Sequence, residues 1–404
     1  MTLSTPAAHR YRWVMFAGMV GVYFAFGIMV SSIPPMVTEV RTDLGMGRGA
    51  MGLALSAWTA MYIVTAAMGG RLVDRLGIGV ALALGGLSVA ATGLARSFAQ
   101  GPVSLWLAVA IMGIGGPLVS ASAPTLCGLW FSDLDERQFA MSVYNLGPGI
   151  GSILAIFATN SVLLPWLGDW RAVLRFEAAV AVAATTIWVA IAIRAPRRPQ
   201  STVQRTQAPV REEWSGLLRS ADVRFALMLG AMAFFVMHSL NNWLVDAVSE
   251  GAEISAKASS NWIAGAGALG LLLLFVVPRL ATRFGRPATL VGTYGAIALG
   301  VLLVGFGPPP AVVVGVFGTA VRATIVPLLL MTLISADAVD ETNMGAANGL
   351  WFSTAQIGAV AGPFLVGAIA DTSAGFGGSM LLLAAMAVLT ATLIGARARR
   401  AALR

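Results

Sequence analysis

Residues 69–77, GGRLVDRLG, and residues 277–285, VPRLATRFG, are two versions of one short pattern, 208 residues apart. Each follows a long apolar run, carries Arg-Leu near its start and ends in Arg-x-Gly. A second match lays DERQFAMSVYNLG (135–147) over DETNMGAANGLWF (340–352) at an offset of 205. Self-similarity at nearly the same offset is typical of an internal repeat, so we predict two related halves.

The composition around these patterns is that of a membrane protein. Of the 404 residues, 57% are hydrophobic and 11% charged, and the mean hydropathy is +0.81; soluble domains carry about 25% charged residues. A bilayer span needs about 20 apolar residues. We therefore predict an all-α polytopic membrane protein with twelve transmembrane spans, at 13–37, 49–69, 79–98, 103–126, 138–162, 173–194, 223–246, 257–278, 288–306, 311–334, 344–369 and 378–396.

The basic residues indicate the orientation of these spans. If both termini lie on one side, the segments on that side hold 19 Lys and Arg, the opposite segments hold six, and Arg322 completes the total of 26. Such a bias predicts an inner-membrane protein with both termini in the cytoplasm. The net charge of +8 is then a topology signal, and no nucleic-acid partner is expected.

A polar segment divides the chain in two. Residues 195–222 are rich in Pro, Arg, Ser and Gln and read as a cytoplasmic linker. It separates a six-helix bundle at 1–194 from a second, pseudo-symmetric bundle at 223–404. In transporters built from such repeats, the substrate site lies near the membrane midplane between the halves.

The first repeated pattern resembles the loop signature of the major facilitator superfamily, which joins spans 2 and 3. The matching positions are Gly70, Asp74, Arg75 and Gly77. Ile78 and Gly79 stand where the family has a basic pair. The resemblance implies a monomeric transporter that works by alternating access. It also implies a latch, in which Asp74 and Arg75 hold one half against the other at the cytoplasmic side; the alternative is a solvated turn.

Glycine and proline are combined in spans 5 and 11, in NLGPGIGS (145–152) and GAVAGPFLVG (358–367). Such combinations bend a helix and permit close contact with a neighbour. We interpret both spans as bent gating helices, with motif residues Gly147, Pro148, Gly151, Gly362 and Pro363. GPGIGS also resembles the span-5 motif of exporters that exchange substrate for protons, although Ser152 replaces a glycine, so an exporter stays open.

A guanidinium in the middle of span 10 points to the substrate. No Asp or Glu lies well inside any predicted span, so Arg322 is expected to leave a positive charge in the cavity. Its planar fork suits carboxylate, phosphate or nitrate-like anions. The alternative is that backbone carbonyls satisfy it, including that of Ala323, which Pro327 leaves without a donor. The further substrate-binding candidates are Tyr23, Tyr62, His238, Asn241, Asn242 and Gln356.

Enzymatic and metal chemistry have no support in the sequence. Cys127 is the single cysteine, and His9 and His238 lie far apart. We expect no catalytic residue, no metal and no cofactor. His238 is the one deep group that titrates near neutral pH. Coupling to H⁺ through His238, proton carriage on the substrate, anion exchange and uniport all stay open.

The sequence thus predicts a secondary active transporter that moves a small organic anion and contacts membrane lipid. HSLNNWL (238–244) and GIMVSSIPPMVTEV (27–40) loosely resemble family branches that carry cyanate-like or monocarboxylate anions. The alternative is a proton-coupled efflux antiporter for drugs or metabolites. A transporter-like sensor or accessory membrane protein is a third hypothesis.

Overall fold

A computed structural model describes residues 6–196, 210–340 and 343–403. Within these ranges every regular element is helical, and twelve helices are long and apolar enough to cross a membrane. This confirms the predicted all-α membrane fold with twelve spans. The helices are α1 (Tyr11–Asp43), α2 (48–76), α3 (78–96), α4 (Pro102–Trp130), α5 (Leu134–Leu167), α6 (Trp170–Arg194), α7 (Ala221–Gly251), α8 (Ala256–Phe284), α9 (Arg286–Phe306), α10 (Pro309–Ile334), α11 (Met344–Ala370) and α12 (Gly375–Ala402).

The repeated pattern marks a joint of one residue in each half. α2 is helical up to Leu76, and Gly77 alone, with φ +75° and ψ 152°, separates it from α3. Gly285, with φ +84° and ψ 145°, joins α8 to α9 in the same way. This backbone region is open almost only to glycine. The loop that the sequence predicts over 69–77 is therefore helical except at its last residue.

Proline interrupts two helices of the first half. α1 leaves the helical path after Val30 and continues as a 3₁₀ turn at Pro34–Met36, because Pro34 and Pro35 donate no backbone hydrogen bond. α5 is broken at Tyr144 and Asn145, just before Pro148. α11, in contrast, runs through Pro363 without a break. α5 is thus interrupted beside the predicted gating motif and α11 is not, and the gating role of both helices stays a prediction.

Glycines permit close helix crossings in both halves. On α5, Gly147 and Gly151 face the backbone carbonyls of Val20 and Phe24 on α1. On α11, Gly358 and Gly362 face the carbonyls of Ala231 and Phe235 on α7. Every residue of the second set lies 211 positions after its counterpart in the first. The structure thus relates α5 to α11 at an offset of 211 instead of the predicted 205.

Hydrogen bonds join the two halves at one end of the bundle, which we call the closed end and define by Arg48, Glu250 and Asp371. The Asp371 carboxylate accepts from the backbone N–H groups of Arg48 and Gly49, at 3.0 and 2.8 Å. Arg48 also pairs with Glu250 at 2.5 Å. Further bonds link Thr38 to Asp246, Asn160 to Ser260 and Ser161 to Asn261. The cavity described below is therefore covered on this side.

The opposite end, which we call the linker end, is defined by Asp74, Arg75 and the short helix Val210–Leu217. That helix lies inside the predicted linker and packs against α11, with Leu217 buried. Residues 197–209 of the predicted linker lie outside the described residues. Asp74 and Arg75 are exposed. The two-bundle division remains a prediction.

Candidate functional site

A cavity of about 210 Å³ lies between the two halves. Its walls come from α1 and α5 of the first half and from α7, α8 and α10 of the second. Most of the lining is apolar, with side chains such as Val30, Ile153 and Leu244. Four polar residues interrupt it: Ser31, Ser152, Asn241 and Arg322. A mostly apolar cleft with a few convergent polar groups is typical of a small-molecule site.

Arg322 reaches this cavity from a tightened turn of α10. Residues Thr319–Thr324 form a 3₁₀ segment, in which positions three apart stack on one side. Nη1 of Arg322 therefore donates to the carbonyl of Thr319 at 3.1 Å and to its Oγ1 at 3.0 Å. The sequence suggested Ala323 as the backbone partner, but the structure uses Thr319. The spacing TAVR (319–322) is the signal that could have indicated it.

The charge of Arg322 has no carboxylate counterpart among the described residues. Four ion pairs are formed by described side chains, and Arg322 takes part in none of them. Nor does any described Asp or Glu line the cavity. Within the described part of the chain only Nη1 donates hydrogen bonds. The N–H groups of Nε and Nη2 therefore remain available to a ligand. An arginine in this state offers a charge-assisted, two-pronged site to a small anion.

Asn241 faces the same cavity from α7, three residues after His238. Two serines that the sequence did not single out complete the polar lining. Ser152 donates to the carbonyl of Gly27 at 3.0 Å, which ties α5 to α1. Ser31 lies at the interruption of α1. Serine is frequent in membrane helices, and only the fold shows which serines line a cleft.

Three of the predicted binding residues are engaged in helix contacts. The Tyr23 hydroxyl donates to the carbonyl of Val119 on α4 at 2.6 Å. The Tyr62 hydroxyl bonds to Ser120 at 2.5 Å. Asn242 donates to the His238 carbonyl in its own helix at 2.8 Å. None of the three lines the cavity. The two tyrosines thus bond to α4 and Asn242 bonds within α7. The depth of a residue in a span does not distinguish these uses from ligand binding.

His238 and Gln356 also lie outside the cavity lining. The His238 ring packs between Trp58 of the first half and Phe234 of its own helix, with ring centroids 5.7 and 5.3 Å away. Gln356 on α11 is 4% exposed, and its Oε1 has no hydrogen-bond partner among the described residues. Of the seven predicted binding residues, the structure brings Arg322 and Asn241 together in one cavity.

Residues 19–335 match the family model of the Major Facilitator Superfamily. The chain belongs to the Major Facilitator Superfamily. Twelve membrane-length helices and an inter-half cavity agree with this membership, so the protein is a multi-pass membrane transporter.

Relatives of this superfamily member differ in what they carry. A hexuronate transporter of Bacillus subtilis (strain 168) is 27% identical over 378 residues, which cover 86% of each chain. A puromycin resistance protein of Streptomyces alboniger is 30% identical over 146 residues, 36% of this chain and 29% of its own. The solved structure of a point mutant of the nucleoside transporter NupG has a TM-score of 0.78 at 14% identity, covers 95% of this chain and is itself covered to 99%. That likeness confirms the fold.

The superfamily signature occupies the last turns of α2. Gly70, Asp74 and Arg75 lie on the helix, and Gly77 forms the joint. Asp74 and Arg75 are exposed, and within the described residues no hydrogen bond or ion pair engages either one. The cytoplasmic latch therefore remains a prediction for another conformation of this transporter.

The sequence did not indicate that Arg96 and Glu177 are buried. Arg96 lies near the end of the predicted span 79–98, and Glu177 lies near the start of the predicted span 173–194. In the structure Arg96 is 3% and Glu177 is 2% exposed, both inside the first half. The field of Arg96 acts on Glu177. Both residues lie near span ends, where a sequence does not distinguish a buried side chain from one in the headgroup region.

Proposed function

We propose that this Major Facilitator Superfamily transporter moves a small organic anion across the inner membrane by alternating access, as a monomer with the linker end in the cytoplasm. The observation that carries the proposal is Arg322. Its guanidinium lies in the inter-half cavity, is held on one side by Thr319 and has no carboxylate partner among the described residues. A bound anion would supply the missing negative charge.

The chemistry of the cavity supports an anion over a cation. An unpaired charge in a membrane interior is costly, so binding of a carboxylate recovers interaction energy that a neutral ligand would not. Two prongs of the guanidinium remain for bidentate contact. Asn241 and Ser31 add hydrogen-bonding groups that suit hydroxyl or carbonyl substituents. The match to a hexuronate transporter is in the same direction, because a hexuronate is a hydroxylated carboxylate.

The second candidate is efflux of drugs or metabolites. It is favoured by the partial match to a puromycin resistance protein and by the glycine-rich crossing of α5 with α1. A transporter of cations needs a negative group near its substrate. The described cavity lining contains none, so the anion proposal takes precedence.

The test uses the purified full chain in proteoliposomes. Uptake of radiolabelled hexuronates and small monocarboxylates is measured beside that of lipophilic cations, for the parent, Arg322→Gln and Arg322→Lys. We expect anion uptake by the parent and a loss of roughly tenfold to a hundredfold in Arg322→Gln, because a hydrogen bond to a charged group contributes about 1.5–3 kcal/mol. Arg322→Lys keeps the charge without the fork and should retain part of the activity.

Arg194→Gln is the matched control. Arg194 is exposed at the linker end and bonds only to Ala190 of its own helix among the described residues, so its replacement should leave uptake unchanged. Uptake of lipophilic cations alone would contradict the proposal and favour efflux. Anion uptake that survives in both Arg322 variants would show that Arg322 is structural and would also contradict it.

A further inference from the structure

Glu177 has a buried carboxyl group to which no described residue donates a hydrogen bond. It lies on α6 near the closed end, is 2% exposed, and neither Oε1 nor Oε2 has a partner within the described residues. Within those residues it forms no ion pair either. An ionised carboxylate buried in this way would be strongly destabilising, because nothing replaces the water it has lost. The neutral acid is the form that fits this site.

The nearby cation is engaged elsewhere. Arg96 on α3 is 3% exposed and donates from Nη1 to the carbonyl of Met29 at 2.9 Å and to Ser32 Oγ at 3.1 Å. Both acceptors lie where α1 leaves its helical path. The Nε of Arg96 has no acceptor among the described residues. Arg96 thus stabilises the interruption of α1 and retains a free donor.

Among the described residues, Arg96 is the one charged group whose field acts on Glu177. α1 contributes Met29 and Ser32, and α4 contributes Met112, whose Sδ accepts from Arg96. On α6 itself, Arg171 bonds to Asp43 and to the carbonyl of Ala99, and Arg175 bonds to Ser97.

We propose that Glu177 is a proton-binding site. When it is ionised, its carboxylate competes for Arg96 with the two acceptors at the interruption of α1, the Met29 carbonyl and the Ser32 hydroxyl. With a proton on Glu177, Arg96 stays on Met29 and Ser32, as in this structure. Loss of that proton to water leaves a carboxylate that draws Arg96 away, and the reverse step returns both groups to their present state. Ser31, next to the atoms that Arg96 holds, lines the inter-half cavity, so the proton acts on the cavity through α1.

This inference rests on the transport cycle proposed above but not on the identity of the anion. Its test therefore uses the proton as the only ligand. In this structure the closed end is shut and Glu177 is unpaired, so acid should favour the shut state and alkali should favour its opening. A spin-label pair at Thr42→Cys and Lys257→Cys, exposed positions of opposite halves, reports that opening in a Cys127→Ser background.

The expected result is that the spin–spin distance shifts with pH in the parent and does not shift in Glu177→Gln, which stays shut throughout. Infrared spectra of the same proteins should show the carbonyl stretch of a protonated carboxyl that is lost in Glu177→Gln. Glu39→Gln removes an exposed carboxylate of the first half and should keep both signals.

Two results would overturn the proposal: a distance shift in Glu177→Gln equal to that of the parent, or a parent without any shift. If Glu177→Gln does not fold, Glu177→Met replaces it, because it removes the carboxyl group and leaves an apolar side chain of similar length in the buried site. An infrared band unchanged in Glu177→Met would then assign the proton to another group and reject Glu177 as its site. Because no anion is present, these outcomes are independent of the Arg322 measurements.

Discussion

Gly77 shows how one residue fixes the geometry of a helix pair. At φ +75° and ψ 152°, any side chain is strained, at a cost of about 1–3 kcal/mol. We therefore predict that Gly77→Ala lowers the unfolding temperature of the purified protein, measured by tryptophan fluorescence during heating in detergent.

Gly79 provides the matched control for this prediction. It lies two residues further on in α3, and a methyl group there would meet Ala192 Cβ at an ordinary 3.5 Å. Because alanine is favoured over glycine inside a helix by about 1 kcal/mol, Gly79→Ala should not lower the unfolding temperature. Equal losses in the two variants would show that the conformation of Gly77 is not what matters.

At the scale of elements, the crossing of α5 with α1 determines one wall of the cavity. A methyl group on Gly151 would collide with the backbone carbonyl of Phe24, and backbone cannot move aside as a side chain can. Gly149 and Ser152, on the same turns, line the cavity. We predict that Gly151→Ala forces the helices apart and destabilises the protein by about 1–3 kcal/mol, measured as a lower thermal unfolding midpoint.

Gly349→Ala is the control for helix packing as such, since a methyl group at that position of α11 would meet nothing within 4 Å. It should leave the midpoint unchanged or raise it. A Gly151→Ala variant as stable as the parent would mean that α1 and α5 adjust to each other freely.

The elements themselves were largely predictable, because long apolar runs between charges define membrane helices. Their interruptions were less so. Pro148 announces the break in α5, yet Pro363 stands in an unbroken α11. The spacing of Thr319 and Arg322 in TAVRAT (319–324) permits their hydrogen bond, but it does not by itself predict the 3₁₀ segment, which packs against α8 and α9. Local sequence reports which hydrogen bonds a proline removes; the tertiary structure decides whether the helix bends.

At the scale of the whole molecule, two of the contacts that hold the closed end shut are expected to differ in strength. Asp371 of the second half accepts two backbone N–H groups at the start of α2, as an N-terminal cap does, and such a cap contributes about 0.5–2 kcal/mol. The Arg48–Glu250 pair is exposed on its acidic side, where Glu250 is 52% accessible, and exposed pairs contribute about 0–1 kcal/mol.

We therefore predict that Asp371→Ala opens the closed end more than Glu250→Ala does. The measurement is the labelling rate of a cysteine at position 241, in the cavity, by a membrane-impermeant thiol reagent added from the closed end. Cys127 is buried and should contribute little background. The reverse order of rates would show that the ion pair, and not the cap, is the stronger restraint.

The site was only partly predictable at this scale. Arg322 was identifiable because a charge in an apolar run needs an explanation. Asn241 was identifiable because it lies three residues after His238, on the same face of a predicted helix. Tyr23, Tyr62 and Asn242 are also polar residues within predicted spans, yet they bond to backbone or side-chain groups of the protein. The Arg96–Glu177 neighbourhood depends on which helices meet near the closed end. The local sequence does not show which polar residues line the cavity or that Arg96 lies near Glu177, because both depend on how the helices pack.

The joints at Gly77 and Gly285 bear on how the helices move during transport. With a single residue between α2 and α3, and again between α8 and α9, the ends of the two partners at the linker end cannot separate. We expect each pair to move together when the closed end opens, at matching points of the two halves.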